Sequence, residues 1–255
     1  MTQALRKPEA GIRPKDRILV GIDTPDRGVA IGLAERLGDA VGGIKLGMEF
    51  FNAQGPDGIR AVAGGRPLFL DLKYHDIPNT VAGAVRSAVA ACRPMIINIH
   101  AAGGPAMMRA AVAANRETAD AEGIARPKLI AVTVLTSLDD ADLEAVGQRG
   151  PSGEQALRLA RLAQDAGCDG VVCSPLEIAA IRAACGPDFA LVVPGIRPAG
   201  SGDDDQKRVT TPGRAVAAGA DWVVIGRPIT QAADPAAAAR AIAADIAETV
   251  GSGGR

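Results

Sequence analysis

Pro67-Leu68-Phe69-Leu70-Asp71-Leu72-Lys73-Tyr74-His75-Asp76-Ile77-Pro78-Asn79-Thr80 runs from an apolar segment into a dense group of charges. The apolar part reads as the end of a buried strand. Side chains alternate faces along a strand, so Asp71 and Lys73 share a side, whereas Asp76 lies at the break imposed by Ile77-Pro78. Burying unpaired charge is expensive. Alternating acid and base at a strand end therefore marks either a compensated structural ion pair or a site that uses the field.

The same strand-to-polar transition recurs on both sides of this stretch. Aliphatic runs at Ile18–Ile22, Gly43–Leu46, Leu68–Leu70, Met95–Ile99, Leu129–Leu135, Gly170–Cys173, Ala190–Val193 and Trp222–Ile225 predict strands. Between them lie Ala-rich stretches with helix-like apolar spacing, such as Gly28–Leu37, Val81–Ala91, Pro105–Asn115, Gly153–Ala166, Leu176–Ala184 and Thr211–Ala218. Unbroken βα alternation predicts a parallel sheet covered by helices, and eight units in 255 residues fit a single (β/α)8 TIM barrel. An open doubly wound sheet would carry GxGxxG after its first strand, but here that strand runs into Gly21-Ile22-Asp23-Thr24-Pro25-Asp26. We place the barrel at residues 16–249, with tails at 1–15 and 250–255. Gly200–Asp205, with three successive Asp residues, reads as a mobile acidic loop.

Composition narrows the function classes. A net charge of −1 without a long Lys/Arg stripe gives no electrostatic case for nucleic acid or an anionic membrane, so any anion site is local. Cys92, Cys168, Cys173 and Cys185 form no CxxC pair, and His75 and His100 are the only histidines, which speaks against a Cys/His zinc site. The cysteines read as reduced, buried small hydrophobes. No run reaches the length of a membrane helix and the N-terminus is unlike a signal peptide, so a cytoplasmic location is expected.

Active sites in this fold sit at the carboxyl ends of the strands. The predicted strands end in Asp23, Lys45, Asp71 with Lys73, Asn98 with His100, Thr136, Ser174, Arg197 and Arg227. Two sub-sites emerge. Pro194-Gly195-Ile196-Arg197-Pro198, Gln206 and Val224-Ile225-Gly226-Arg227-Pro228 fall in and around the seventh and eighth loops, where barrels hold phosphate, and Arg adds a bidentate cation. Opposite, Lys45, Asp71, Lys73 and Asp76 form a row of alternating sign. Carboxylates flanking Lys73 favour its ammonium, which can stabilise and then protonate a carbanion. A carboxylate beside the seat of a substrate carboxylate disfavours the bound acid relative to a transition state losing CO2. His75 and His100 read as supporting residues, and Cys173 and Ser174 as structural, since no base is assigned to either.

With these motifs placed, the chain resembles the orotidine 5′-phosphate decarboxylase family from Asp23 to Arg227. The resemblance is carried by Gly21-Ile22-Asp23-Thr24, Ile44-Lys45-Leu46-Gly47, Asp71–Thr80, Val134-Leu135-Thr136-Ser137, Pro194–Pro198, Asp205-Gln206-Lys207-Arg208 and Val224–Pro228. It implies metal-free and cofactor-free decarboxylation of orotidine 5′-monophosphate to UMP in pyrimidine biosynthesis, with Lys73 as proton donor to C6 and Lys45, Asp71 and Asp76 completing the charged row. It further implies that Asp23 and Lys45 hold ribose hydroxyls, that Thr136 contacts the pyrimidine edge, and that Arg197, Gln206, Gly226 and Arg227 take the 5′-phosphate. Asp76 and Thr80 would reach into a neighbouring subunit's site, making a homodimer the working unit, and Gly200–Asp205 would be a lid.

Two rivals are distinguishable. Magnesium-dependent sugar-phosphate decarboxylases and lyases of related barrels share Asp-x-Lys-x-x-Asp but, as the resemblance has it, carry Glu where this chain has Lys45, an ammonium that repels a divalent cation. A non-catalytic nucleotide-phosphate binding protein would keep Arg197, Gln206 and Arg227 without needing the charged row.

Overall fold

The computed structural model describes residues 12–198 and 210–252. Eight strands, β1 Ile18–Ile22, β2 Gly43–Gly47, β3 Leu68–Tyr74, β4 Ile96–His100, β5 Lys128–Val132, β6 Gly170–Val172, β7 Ala190–Val193 and β8 Trp222–Ile225, pair in chain order, and β8 closes on β1. Every pairing is parallel. The helices are α1 Arg27–Leu37, α2 Met48–Ala63, α3 Pro78–Cys92, α4 Gly104–Glu122, α5 Asp140–Ala145, α6 Ser152–Asp165, α7 Ile178–Cys185, α8 Pro212–Ala217, α9 Arg227–Thr230 and α10 Pro235–Ser252. The chain is a (β/α)8 barrel, as the alternation of apolar runs predicts.

Strand periodicity builds two cores. Outward residues such as Ile18, Val20, Ile22, Ile97 and Ile99 pack with the helices, whereas Leu19, Phe69, Ile96, Ile130, Ala190 and Val192 fill the barrel interior. Two residues further along the same inward parity, the side chains change character: Phe69 gives way to Asp71 and Ile96 to Asn98. The apolar plug thus ends where the charged mouth begins.

The opposite end of the barrel is held by carboxylates at strand starts. Asp169 accepts the Leu129 amide and a bidentate Arg126 guanidinium at 2.6 and 2.8 Å. Asp221 accepts the Leu191 amide and Arg182, both at 2.8 Å, and Arg182 also donates to the carbonyls of Gly186, Pro187, Phe189 and Gly219. Each carboxylate joins its strand to the preceding one beyond the regular ladder.

Several bounds depart from the sequence reading, β3 running to Tyr74 and α4 to Glu122 among them, and three departures have a plain physical reason. β5 ends at Val132 rather than Leu135, because the Thr133 hydroxyl bonds back to the Val172 carbonyl and Val134, Leu135 and Thr136 turn to line the mouth. The β2–β3 connection is helical despite Gly55-Pro56, which it absorbs as a kink with Gly55 at φ 61°. α10 continues through Ser252, so the tail expected from residue 250 is helical over its first three positions, where half-buried Val250 packs against the helix-side core. Gly200–Asp205, Gln206 and Arg208 lie outside the described residues. Among the described residues no helix is long and apolar enough to cross a membrane.

Candidate active site

A cavity of about 270 Å³ opens at the carboxyl ends of the strands. Asp23, Lys45, Asp71, Lys73, Thr136, Arg197, Gly226 and Arg227 all line it, so residues spread over some 200 positions of sequence meet in one space. Between the polar groups its wall is apolar, formed in part by Val132, Val134, Leu135, Val172, Ile196 and Val224.

Of the expected charged row, Lys45, Asp71 and Lys73 stand in contact, Asp23 joins its outer end, and Asp76 of the same chain does not take part. Lys45 Nζ lies 3.2 Å from Asp23 Oδ1 and 3.4 Å from Asp71 Oδ2, and Lys73 Nζ lies 2.6 Å from Asp71 Oδ1. Gly21 lets Lys45 cross β1, since a Cβ there would stand 3.1 Å from Lys45 Cε. Asp71 is buried, and burial opposes its ionisation. The charges of Lys45 and Lys73, with hydrogen bonds from Lys73 and Asn98, outweigh that cost and hold the carboxyl below its ordinary range. Burial likewise works against a charged Lys45, but Asp71 and Asp23 more than compensate and raise its pKa. The row is therefore a self-compensating set centred on buried Asp71, with half-buried Lys45 and Lys73 on either side and Asp23 at its solvent-exposed end.

Lys73 departs from a regular strand. Its φ is 50°, left-handed for a side chain with a Cβ, a conformation that costs on the order of 1–3 kcal/mol and clusters at functional sites. The ladder explains it. Leu70 pairs with Ile97 and Tyr74 with Ile99, so β3 uses four residues where β4 uses two, and the surplus forms a bulge at the cavity.

Asp76 and Thr80 are not among the cavity's lining residues. Both are exposed on the loop and first turn after β3; Asp76 Oδ1 accepts the Ile77 amide, and Ile77 itself is 67% exposed. Arg197 and Arg227 stand at the far side of the cavity from Lys73, on the ends of β7 and β8, and Thr210 ties the Arg197 backbone in place with a 3.0 Å hydrogen bond from Arg197 N to its carbonyl.

The histidines meet each other, with ring centroids 5.4 Å apart. Burial, reinforced by the charges of His75 and Lys73 and opposed by Asp71, lowers His100 to about 4. Between its ordinary 6.5 and about 4 the unfolded chain binds a proton that the folded chain refuses, so this contribution to stability is intact above 6.5 and lost as pH falls through that window. A His100→Gln variant is expected to show a shallower fall in melting temperature than the parent between those pH values, measured by thermal denaturation across a buffer series.

Cys173 is fully buried, and burial pushes its thiol well above the usual range. Ser174 caps the short helical turn at Pro175–Glu177, its Oγ accepting the Leu176 amide. Neither is disposed as an activated nucleophile. All four cysteines are free and buried. The site residue that sequence reasoning passed over is Asn98, noted only as a polar strand end; its contacts with Asp71 and with the Lys73 amide depend on the bulge, which no local pattern announces.

Comparison with known proteins agrees over the whole barrel. The profile of the Orotidine 5'-phosphate decarboxylase / HUMPS family matches residues 16–242. An orotidine 5'-phosphate decarboxylase of Paramagnetospirillum magneticum is 59% identical over 230 residues, covering 90% of this chain and 97% of its own. One from Rhodospirillum rubrum is 59% identical over 231 residues, 90% of this chain and 93% of its own. The crystal structure of the Lactobacillus acidophilus orotidine 5'-phosphate decarboxylase superposes with a TM-score of 0.78 at 38% identity, covering 92% of this chain and 99% of that one. With a profile spanning most of the chain and relatives this similar along nine-tenths of it, the protein belongs to the orotidine 5'-phosphate decarboxylase / HUMPS family.

Proposed function

We propose that this protein decarboxylates orotidine 5′-monophosphate to UMP without a metal or organic cofactor. One observation carries the reading: a compensated row, Asp23, Lys45, Asp71 and Lys73, lines the same cavity as Arg197 and Arg227. The relatives' names supply the substrate.

In this reading the two arginines and the Gly226 backbone take the 5′-phosphate, Gln206 adds to them, Asp23 and Lys45 hold the ribose hydroxyls, and Thr136 meets the pyrimidine edge. The substrate carboxylate then lies beside ionised Asp71. Breaking the C6–carboxylate bond releases CO2 and leaves its electron pair on C6, which relieves the repulsion with Asp71 and creates a negative charge next to the Lys73 ammonium. Lys73 passes a proton to C6, completing UMP, and is reprotonated from solvent. Phosphate binding, remote from the reacting carbon, supplies free energy for holding this arrangement.

The metal-dependent alternative lacks support at the residues concerned. Where it needs an oxygen ligand this chain has Lys45, and both Asp71 oxygens already face ammonium groups. A pure binding protein would have no use for Asp71 buried between two half-buried lysines. The test is loss of orotidine 5′-monophosphate absorbance after addition of chelator-treated protein. Rapid loss is expected; no loss, with activity on a sugar phosphate once magnesium is restored, would move the protein to the metal-dependent class.

The working unit in this proposal is a cytoplasmic homodimer in which Asp76 and Thr80 enter the partner's cavity. Support comes from their exposure outside their own cavity beside exposed Ile77, and from a biosynthetic role that belongs with soluble metabolites. Lys73→Ala and Asp76→Ala would then complement each other. After mixing under subunit exchange, half the dimers are hybrids with one intact site, so activity should return to about a quarter of the parent's. Absence of any recovery despite demonstrated exchange would refute a shared site.

A further inference from the structure

We propose that Asn98 is a positioning residue for the reaction, fixing the bulged end of β3 so that Lys73 and Asp71 both face the reacting carbon. The inference rests on the decarboxylase reading above and deepens it. Asn98 is fully buried on the inward face of β4, opposite the bulge. A bulge removes a ladder partner from the strand that carries it. Here the missing acceptor is replaced by a side chain: Lys73 N donates to Asn98 Oδ1 at 2.8 Å. The other end of the same amide donates from Nδ2 to Asp71 Oδ1 at 2.7 Å, on the oxygen that also receives Lys73 Nζ.

One amide therefore sets the backbone of the proton donor and the orientation of the carboxylate that opposes the leaving CO2. Its orientation is fixed by chemistry, because a backbone N–H can only donate and a carboxylate only accept. No other side chain of this size offers an acceptor at one end and a donor at the other except with loss of one contact. Aspartate lacks the donor, leucine lacks both, and serine is too short to bridge. The charged and titratable groups around it are Asp71 and Lys73 on β3, Lys45 on β2 behind Asp71, and His100 two residues along β4; its ladder partner on β5 is apolar Ile130.

Asn98→Ala and the near-isosteric Asn98→Asp test the assignment against the parent with orotidine 5′-monophosphate. For Asn98→Ala, kcat should fall about 100-fold or more, as expected of a misplaced reacting group, while KM changes by less than about threefold because the phosphate side is untouched. Asn98→Asp keeps the acceptor for Lys73 N but sets a second carboxylate against Asp71. The pair then titrates together with one pKa raised, so the acid limb of the kcat profile should move up by about one pH unit or more. A purely structural asparagine would lower the melting temperature of Asn98→Ala while its folded fraction kept the parent's kcat and KM. Turnover per folded Asn98→Ala molecule close to the parent's would overturn the proposal. Should Asn98→Ala not fold, Asn98→Leu, of similar size and lacking both contacts, is read for the same loss of kcat at little-changed KM. A parent without activity on this substrate would instead overturn the proposed function, and this inference with it.

Discussion

Lys73→Ala is expected to lower kcat by about 10⁴-fold or more, because the variant loses both a general acid, worth roughly 10²–10⁴, and a charge facing the developing carbanion, worth roughly 10²–10³. The fold should survive the change. Lys73 is about a quarter exposed, and Asp71 keeps Lys45 on one oxygen and the Asn98 amide on the other, so no carboxylate is left buried and uncompensated. A melting temperature within a few degrees of the parent, together with near-total loss of turnover, is the combination to look for by calorimetry and the absorbance assay. Unchanged turnover would remove Lys73 from the mechanism, whereas loss of both activity and folding would show that its ion pair with Asp71 is chiefly structural.

Arg227→Ala should act on the other end of the substrate. Arg227 lines the cavity at the start of α9, on the wall formed with β8, away from Lys73. Loss of a charge-assisted, bidentate contact to phosphate is expected to raise KM by about 10²–10³-fold. Because remote binding free energy also helps to hold the reacting geometry, kcat should fall as well, by a smaller factor. The discriminating control is orotidine, which has the same base and sugar without the phosphate. Its slow turnover should be the same in parent and variant, and an equal loss on both substrates would show that Arg227 serves the reacting end of the site.

Much of this molecule is legible before any coordinates. Eight strands emerge because each is a compact aliphatic run, and the eight polar strand ends converge because a parallel barrel brings all carboxyl ends to one face. What resists reading depends on register or on non-local contacts. Nothing around Lys73 signals a left-handed backbone; it follows from the pairing of Leu70 and Tyr74 with Ile97 and Ile99, two strands that diverge in length by two residues. Asn98 is polar in a strand end like any other until that bulge gives its amide two partners. α2 is hidden by Gly55-Pro56, and β5 looks longer than it is because the residues after Val132 stay apolar while they line the cavity. The Asp169 and Asp221 anchors escape a sequence reading for a related reason, since a carboxylate before a strand becomes meaningful only beside the amide of the neighbouring strand.

Those two anchors have a practical consequence. Arg126 with Asp169 and Arg182 with Asp221 clamp the amino-terminal rim of the barrel, separated from Lys73 and its neighbours by the inner apolar layer of Leu19, Phe69, Ile96 and Ile130. Robustness and reactivity are thereby assigned to opposite rims. Selection, or an engineer, can retune thermal tolerance at one rim by strengthening or loosening its clamps without redrawing the electrostatic landscape at the other, so variants of this scaffold adapted to very different temperatures can retain an identical reaction centre.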